Sequence, residues 1–159
     1  LYKDSDRVDP LFYAGPSWDY DLCFGNMEDR GYSPQGNYLT TSRTNRNLYW
    51  LLSRHESFME RVTEIWQTSF RDAVAVLLGE KEAKGVLRSV EEYRERIQAS
   101  AAMNNTRWPV SQDATGNGSG GSFDKAVAYL KRWMTERTAW MDEQYGMLPA
   151  ADEGAKKQE

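Results

Sequence analysis

The sequence predicts an α+β fold that is mostly α: a short β-hairpin or strand segment followed by a helical remainder. Two observations carry this. From Trp18 to Phe24, the large residues Trp18, Tyr20, Leu22 and Phe24 alternate with Asp19, Asp21 and Cys23, the two-residue period of a strand. From Asn47 onward, apolar residues instead recur at three- and four-residue steps, the period of an amphipathic helix.

The elements follow in chain order. Leu1-Tyr2-Lys3 and Leu11-Phe12-Tyr13-Ala14 flank the polar, turn-rich Asp4 to Pro10, which reads as a β-hairpin with a long loop. Gly15-Pro16 punctuates it before the alternating segment, which Gly25-Asn26 ends. Residues 25–47, rich in Gly, Asn, Ser and Thr, read as a long surface loop. A helical turn is expected around Leu48 to Ser53. Phe58, Met59, Val62, Ile65, Trp66, Phe70, Val74 and Leu77 then define a long amphipathic helix ending near Gly79. Val86, Val90, Tyr93, Ile97 and Ala101 define another, expected to stop before Asn104-Asn105. Residues 114–121 read as a flexible loop, and Ser122 as the N-cap of a last helix carrying Phe123, Val127, Leu130, Met134 and Met141. The domain is expected to span 1–148, with 149–159 a disordered tail.

Composition narrows the function. At 159 residues, with 40% hydrophobic and 13% aromatic residues, the chain has the means to build a core. A net charge of −4 without a concentrated basic stripe argues against a nucleic-acid partner. The longest apolar run, Ala73 to Leu78, is far too short for membrane insertion. The single Cys23, between Leu22 and Phe24, reads as a small buried hydrophobe. Leu1-Tyr2 reads as the middle of a strand, so the chain is expected to be a fragment.

The chemistry concentrates in Trp18-Asp19-Tyr20-Asp21. On a strand, carboxylates at i and i+2 point to the same side, while Trp18 and Tyr20 point to the other. Such a pair suits a hard cation, and Mg²⁺ in particular, which takes one or two carboxylates plus phosphate oxygens. An edge strand with a solvated polar face is the plain alternative. Three further candidates are weaker. Asp4-Ser5-Asp6 with Asp9 begins like a calcium loop but has Val8, Asp9 and Gly15 at its fifth, sixth and twelfth positions, so a hairpin turn fits better. His55, the only histidine, reads as a surface residue at a helix start. Trp50, Trp66, Trp108, Trp133 and Trp140 could line a sugar-binding face, but their helical spacing favours helix packing. The Glu and Arg pairs from Val90 to Ile97 read as a solvated helix face.

The string Phe12-Tyr13-Ala14-Gly15-Pro16-Ser17-Trp18-Asp19-Tyr20-Asp21-Leu22-Cys23-Phe24-Gly25-Asn26 resembles the CotH family of atypical kinases, known from bacterial spore coats and from secreted or surface proteins. Asn104-Asn105-Thr106-Arg107-Trp108 and the late helix through Trp133 and Trp140 resemble its C-terminal helical part. The resemblance implies a helical subdomain like the C-lobe of an atypical protein kinase. It also implies an extracellular or cell-surface location, ATP and Mg²⁺ (or Mn²⁺), and phosphoryl transfer to Ser or Thr of a protein substrate. Asp19 matches the acid that holds the metal against the phosphates, like the metal-binding Asp of protein kinases. Asp21 stands where relatives have Asp or Asn, an auxiliary ligand, and Asn26 is a candidate for shaping the loop. No catalytic residue is expected within this chain: the acid acting on the substrate hydroxyl and the nucleotide-gripping lysine would fall before Leu1. The fragment alone is therefore expected to be inactive. A non-catalytic surface or scaffold module of the same fold, and a carbohydrate-binding helical domain, are the alternative readings.

Overall fold

A computed structural model describes residues 3–13, 23–25, 33–37, 48–109 and 122–146. It is mostly helical, with 64% of the described residues in helix. The elements are α1 (Leu48–Leu52), α2 (Glu56–Ile65), a π-helical turn (Trp66–Phe70), α3 (Arg71–Leu78), α4 (Val90–Arg107) and α5 (Phe123–Gln144). The predicted helical order from Leu48 onward is thus present. Of the predicted hairpin, Leu1, Tyr2 and Ala14 lie outside the described residues, and residues 3–13 form no strand, with Tyr13 a single bridge position. Its turn is described: the Val8 and Asp9 amides both donate to the Ser5 carbonyl, at 2.9 and 3.0 Å. The loop at 114–121 and the tail at 149–159 also lie outside the described residues.

The α2–α3 helix runs continuously through the π turn, and that turn corrects the predicted stripe. A π turn closes i→i+5 hydrogen bonds and so accommodates one extra residue. The Arg71 amide donates to the Trp66 carbonyl in this pattern, and the Thr68 hydroxyl donates to the Glu64 carbonyl at 2.7 Å. One added residue rotates everything after it by about 100°. The inward line is therefore Val62, Trp66, Arg71 and Ala75, with a five-residue step from Trp66. Phe70, which an uninterrupted four-residue step places inside, is 60% exposed, and the buried residues of α3 are Ala75 and Val76 in place of Val74 and Leu77.

The helix ends where Gly79 takes a left-handed conformation (φ 79°), letting the Glu80 amide reach back to the Ala75 carbonyl at 2.8 Å. Ser89 starts α4 with a capping box: its hydroxyl accepts from the Glu92 amide, and the Glu92 carboxylate accepts from the Ser89 amide. Val86 lies outside this helix and is 93% exposed. The helix also runs past Asn104-Asn105 to Arg107. The stop is Pro109, which biases its predecessor Trp108 away from helical backbone (φ −129°, ψ 80°). Ser122 caps α5 as predicted, accepting from the Lys125 amide.

Helix α5 is the strut against which the other described pieces lie. Near its start, Val127 and Leu130 share an apolar groove with Val90, Tyr93 and Ile97 of α4. Arg94 of α4 donates to Asp124 at 2.8 Å while pairing with Glu91, and Lys131 pairs with Glu91 at 3.5 Å. The charged face of α4 thus braces α5 rather than facing only solvent. Near the end of α5, the Asp142 carboxylate accepts from the Trp66 indole N–H and from Arg71 Nε, both at 3.0 Å. Gln67 donates to the carbonyls of Tyr145 and Gly146. The described core gathers here: Trp66, Ala75, Val76 and Met134 are buried, with Thr138 satisfied by the Met134 carbonyl.

Candidate functional site

Asp19, Asp21 and Asn26 all lie outside the described residues, so the site is approached through the chain that leaves it. Phe24 and Gly25, three and four positions after Asp21, are held on α5. Phe24 adopts φ 58°, a conformation that a bulky residue rarely takes without support from its surroundings. Its ring meets Trp133 edge-on, with centroids 5.5 Å apart and planes at 77°. The carbonyl of Gly25 accepts from the Tyr129 hydroxyl at 3.1 Å. Gly25 is buried at φ 78°, and a Cβ there would stand 2.6 Å from Trp133 Cδ1 and 2.8 Å from its Nε1, besides striking the Tyr129 hydroxyl. Tyr129 and Trp133, one α-turn apart, thus form a seat that only glycine fits.

A second loop reaches the same helix further along. Arg137 donates to the carbonyls of Pro34 and Gly36, at 3.1 and 2.6 Å, and Asn37 donates to the Tyr145 hydroxyl at 3.1 Å. The described part of the predicted surface loop is therefore half-buried against α5. Arg137 also covers the Trp140 ring at 4.5 Å.

Other sequence expectations meet mixed outcomes. Cys23 is exposed, not buried. Phe24 beside it is also exposed, at 44%, and Phe24-Gly25 form a turn, so an apolar neighbour in sequence does not bring burial here. The acids of the excluded calcium loop are engaged locally: Asp9 accepts from the Leu11 amide and the Tyr13 hydroxyl, Asp4 from the Ser5 amide, and Asp6 pairs with Lys3. The Tyr13 and Leu11 hydrogen bonds hold the Asp9 carboxyl below its usual value and, from the other side, Asp9 raises the Tyr13 phenol. His55 is exposed at the start of α2. Trp66 is core, and Trp50, Trp133 and Trp140 are half-buried against neighbours, whereas Trp108 is 63% exposed beneath Arg107.

Among the described residues no group of three or more His, Cys, Asp or Glu could hold a metal. Sequence reasoning found Trp133 only as a packing residue and missed Tyr129, Gly25 as its partner, and Asp142. Tyr129 and Trp133 at i and i+4 were the available signal, since two aromatics one turn apart make a platform for an incoming chain.

A family model described as CotH kinase protein matches residues 1–141. No curated protein and no solved structure matches the chain.

Proposed function

Because the chain belongs to the CotH kinase family, we propose that residues 1–148 serve as the C-terminal portion of a kinase-like domain. In the native protein, that domain transfers the γ-phosphoryl group of ATP to Ser or Thr hydroxyls of secreted or cell-surface proteins. The observation that carries this reading is the family match, which spans the Trp18-Asp19-Tyr20-Asp21 segment. The carboxylate of Asp19 anchors the cation, and Asp21 assists as a second acceptor for the cation or its waters. Bound Mg²⁺ supplies neutralisation of the phosphate charge that builds during transfer. The remaining work is positioning, which requires a fixed carboxylate and little covalent chemistry from the protein.

The test is calorimetric titration of Mg²⁺–ATP into the native protein and two variants. Asp19→Asn keeps shape and hydrogen bonding but removes the anchoring charge. It is expected to weaken binding on the order of 10–100-fold, and Asp21→Asn much less. Equal losses would mean a symmetric two-carboxylate site, and no loss in either would return the segment to an ordinary edge strand. The 159-residue chain alone is expected to phosphorylate nothing. Phosphorylation by it, abolished by Asp19→Ala, would show that the acceptor-side acid lies within the chain.

A further inference from the structure

We propose that α4 is a hinged strap, fastened to α5 by ion pairs, that swings off the native structure as a unit when salt screens those pairs. The motion does not depend on the phosphoryl-transfer reading.

No residue of α4 is buried, although the helix is 18 residues long. Its apolar contact with α5 lies along Val90, Tyr93 and Ile97, and there Tyr93 stays 39% and Ile97 51% exposed. Burial so shallow removes little apolar surface from water, so it holds the helix weakly. Charge supplies the fastening. Arg94 Nε and Nη2 both donate to Oδ1 of Asp124, at 3.1 and 2.8 Å, and Lys131 Nζ lies 3.5 Å from Glu91 Oε2. Arg94 also pairs with Glu91 at 2.9 Å, which joins the four side chains into one network across the two helices. Each of the four leaves a quarter or more of its side chain in solvent, so dissolved ions reach the pairs and screen them.

The chain leading into α4 supplies the hinge. The Glu80 and Lys81 amides donate to the Ala75 carbonyl, and their side chains pair with Arg71 and Asp72, so this end is tied to α3. Further on, the Leu87 amide closes a turn onto the Lys84 carbonyl at 3.1 Å, with Gly85 at φ 61° inside it. The Tyr93 hydroxyl donates to the Val86 carbonyl of that turn at 3.2 Å, so the turn moves with α4. Between the two attachments lie Glu82 and Ala83, exposed and outside any turn or helix. A short exposed stretch of this kind absorbs the backbone rotation that a swinging element needs. Opening is a brief native-state excursion, so global unfolding remains one transition.

The experiment follows backbone hydrogen exchange in the native protein, comparing the amides of Tyr93 to Ile97 with those of the buried Ala75 and Val76. Raising NaCl from about 0.05 M to about 1 M shortens the screening length to about 3 Å. It is expected to speed exchange in α4 on the order of 5-fold and to leave the core amides unchanged. Salt that slows α4, or changes nothing, would show that apolar contact holds the helix and would overturn the strap. One common rate for α4 and the core would overturn it too, since nothing then opens separately. Arg94→Met keeps an apolar stem in the groove and removes the charge shared by Asp124 and Glu91. It is expected to speed α4 exchange at low salt by a similar factor and to flatten the salt response. Lys131→Met acts from α5 and is expected to shift α4 exchange in the same direction, by less. Ser89→Ala loosens the first turn of α4 without touching the network, so it should keep the full salt response. A salt response that survives Arg94→Met or vanishes in Ser89→Ala, or wild-type exchange in Lys131→Met, would assign the effect to α4's own ends and sink the proposal.

Discussion

Asp142 is the residue on which the C-terminal half of the structure converges. One carboxylate oxygen takes the indole N–H of the buried Trp66, and the other takes Arg71 Nε. Burial alone would lower the Arg71 guanidinium, but the hydrogen bonds and charges of Asp142 and Glu80 outweigh it and raise it above its usual value. Asp142→Ala removes both acceptors, and a partly buried donor left without one costs about 1–3 kcal/mol. Asp142→Asn keeps one acceptor oxygen and is expected to lose less. Denaturant unfolding of the two variants checks the order, and equal losses would mean that the bond to the acceptor oxygen that Asn retains contributes nothing. Little of this was legible beforehand. Asp142 lies 76 positions from Trp66, and periodicity says nothing about pairs so far apart. Cys23, expected to be buried between Leu22 and Phe24, is exposed, as Phe24 is, because the chain turns there.

The start of α4 carries a pH-dependent element. The Ser89 amide, and then the Ser89 hydroxyl, hold the Glu92 carboxyl below its usual value. A depressed folded value means that the contribution is present above the unfolded value and is lost as pH falls through the folded one. Acidification below the usual Glu range is therefore expected to fray the first turn of α4. Helicity followed by far-UV circular dichroism should fall less steeply over that range in Glu92→Gln, which lacks the titrating group. Parallel acid profiles would assign the loss to other carboxylates. Ser89→Ala is expected to cost about 1 kcal/mol at neutral pH. At this scale the sequence was most readable. Ser122 and Gly79 were recognised as a cap and a terminus because their chemistry is local. The ends of α4 were misjudged because Pro109, and not the two asparagines, supplies the stop.

For the molecule as a whole, α5 turns separate pieces into one structure. Phe24-Gly25, the 33–37 loop, α4 and the α2–α3 helix all attach along it, from Asp124 to the C-cap Tyr145. Unfolding is therefore expected as one cooperative transition, with far-UV circular dichroism and tryptophan fluorescence giving the same midpoint. Separated midpoints would mean that the pieces dock on α5 without depending on it. The family was legible because Trp18 to Asn26 is a compact string of chemically constrained residues, and the mostly helical fold because apolar residues recur at three- and four-residue steps from Asn47 onward. The support beneath that string was not, because it comes from more than 100 positions away, at Tyr129.

The five-residue step at Trp66–Phe70 also fixes where the chain tolerates a change of length. Deleting Thr68 would leave Trp66, Arg71 and Ala75 spaced by four, the ordinary repeat, so both halves of the helix would keep the faces they now present. The Thr68 hydroxyl bond to Glu64 would be lost, and a regular main-chain ladder would take its place. Deleting Thr63 instead would swing Val62 and everything before it by about 100° relative to Trp66. The Thr68 deletion is therefore expected to fold with a near-native thermal midpoint, while the Thr63 deletion loses much of its cooperativity. The turn behaves as a spliced-in spare residue, a site where gain or loss of one codon passes without disturbing the Asp142 clamp.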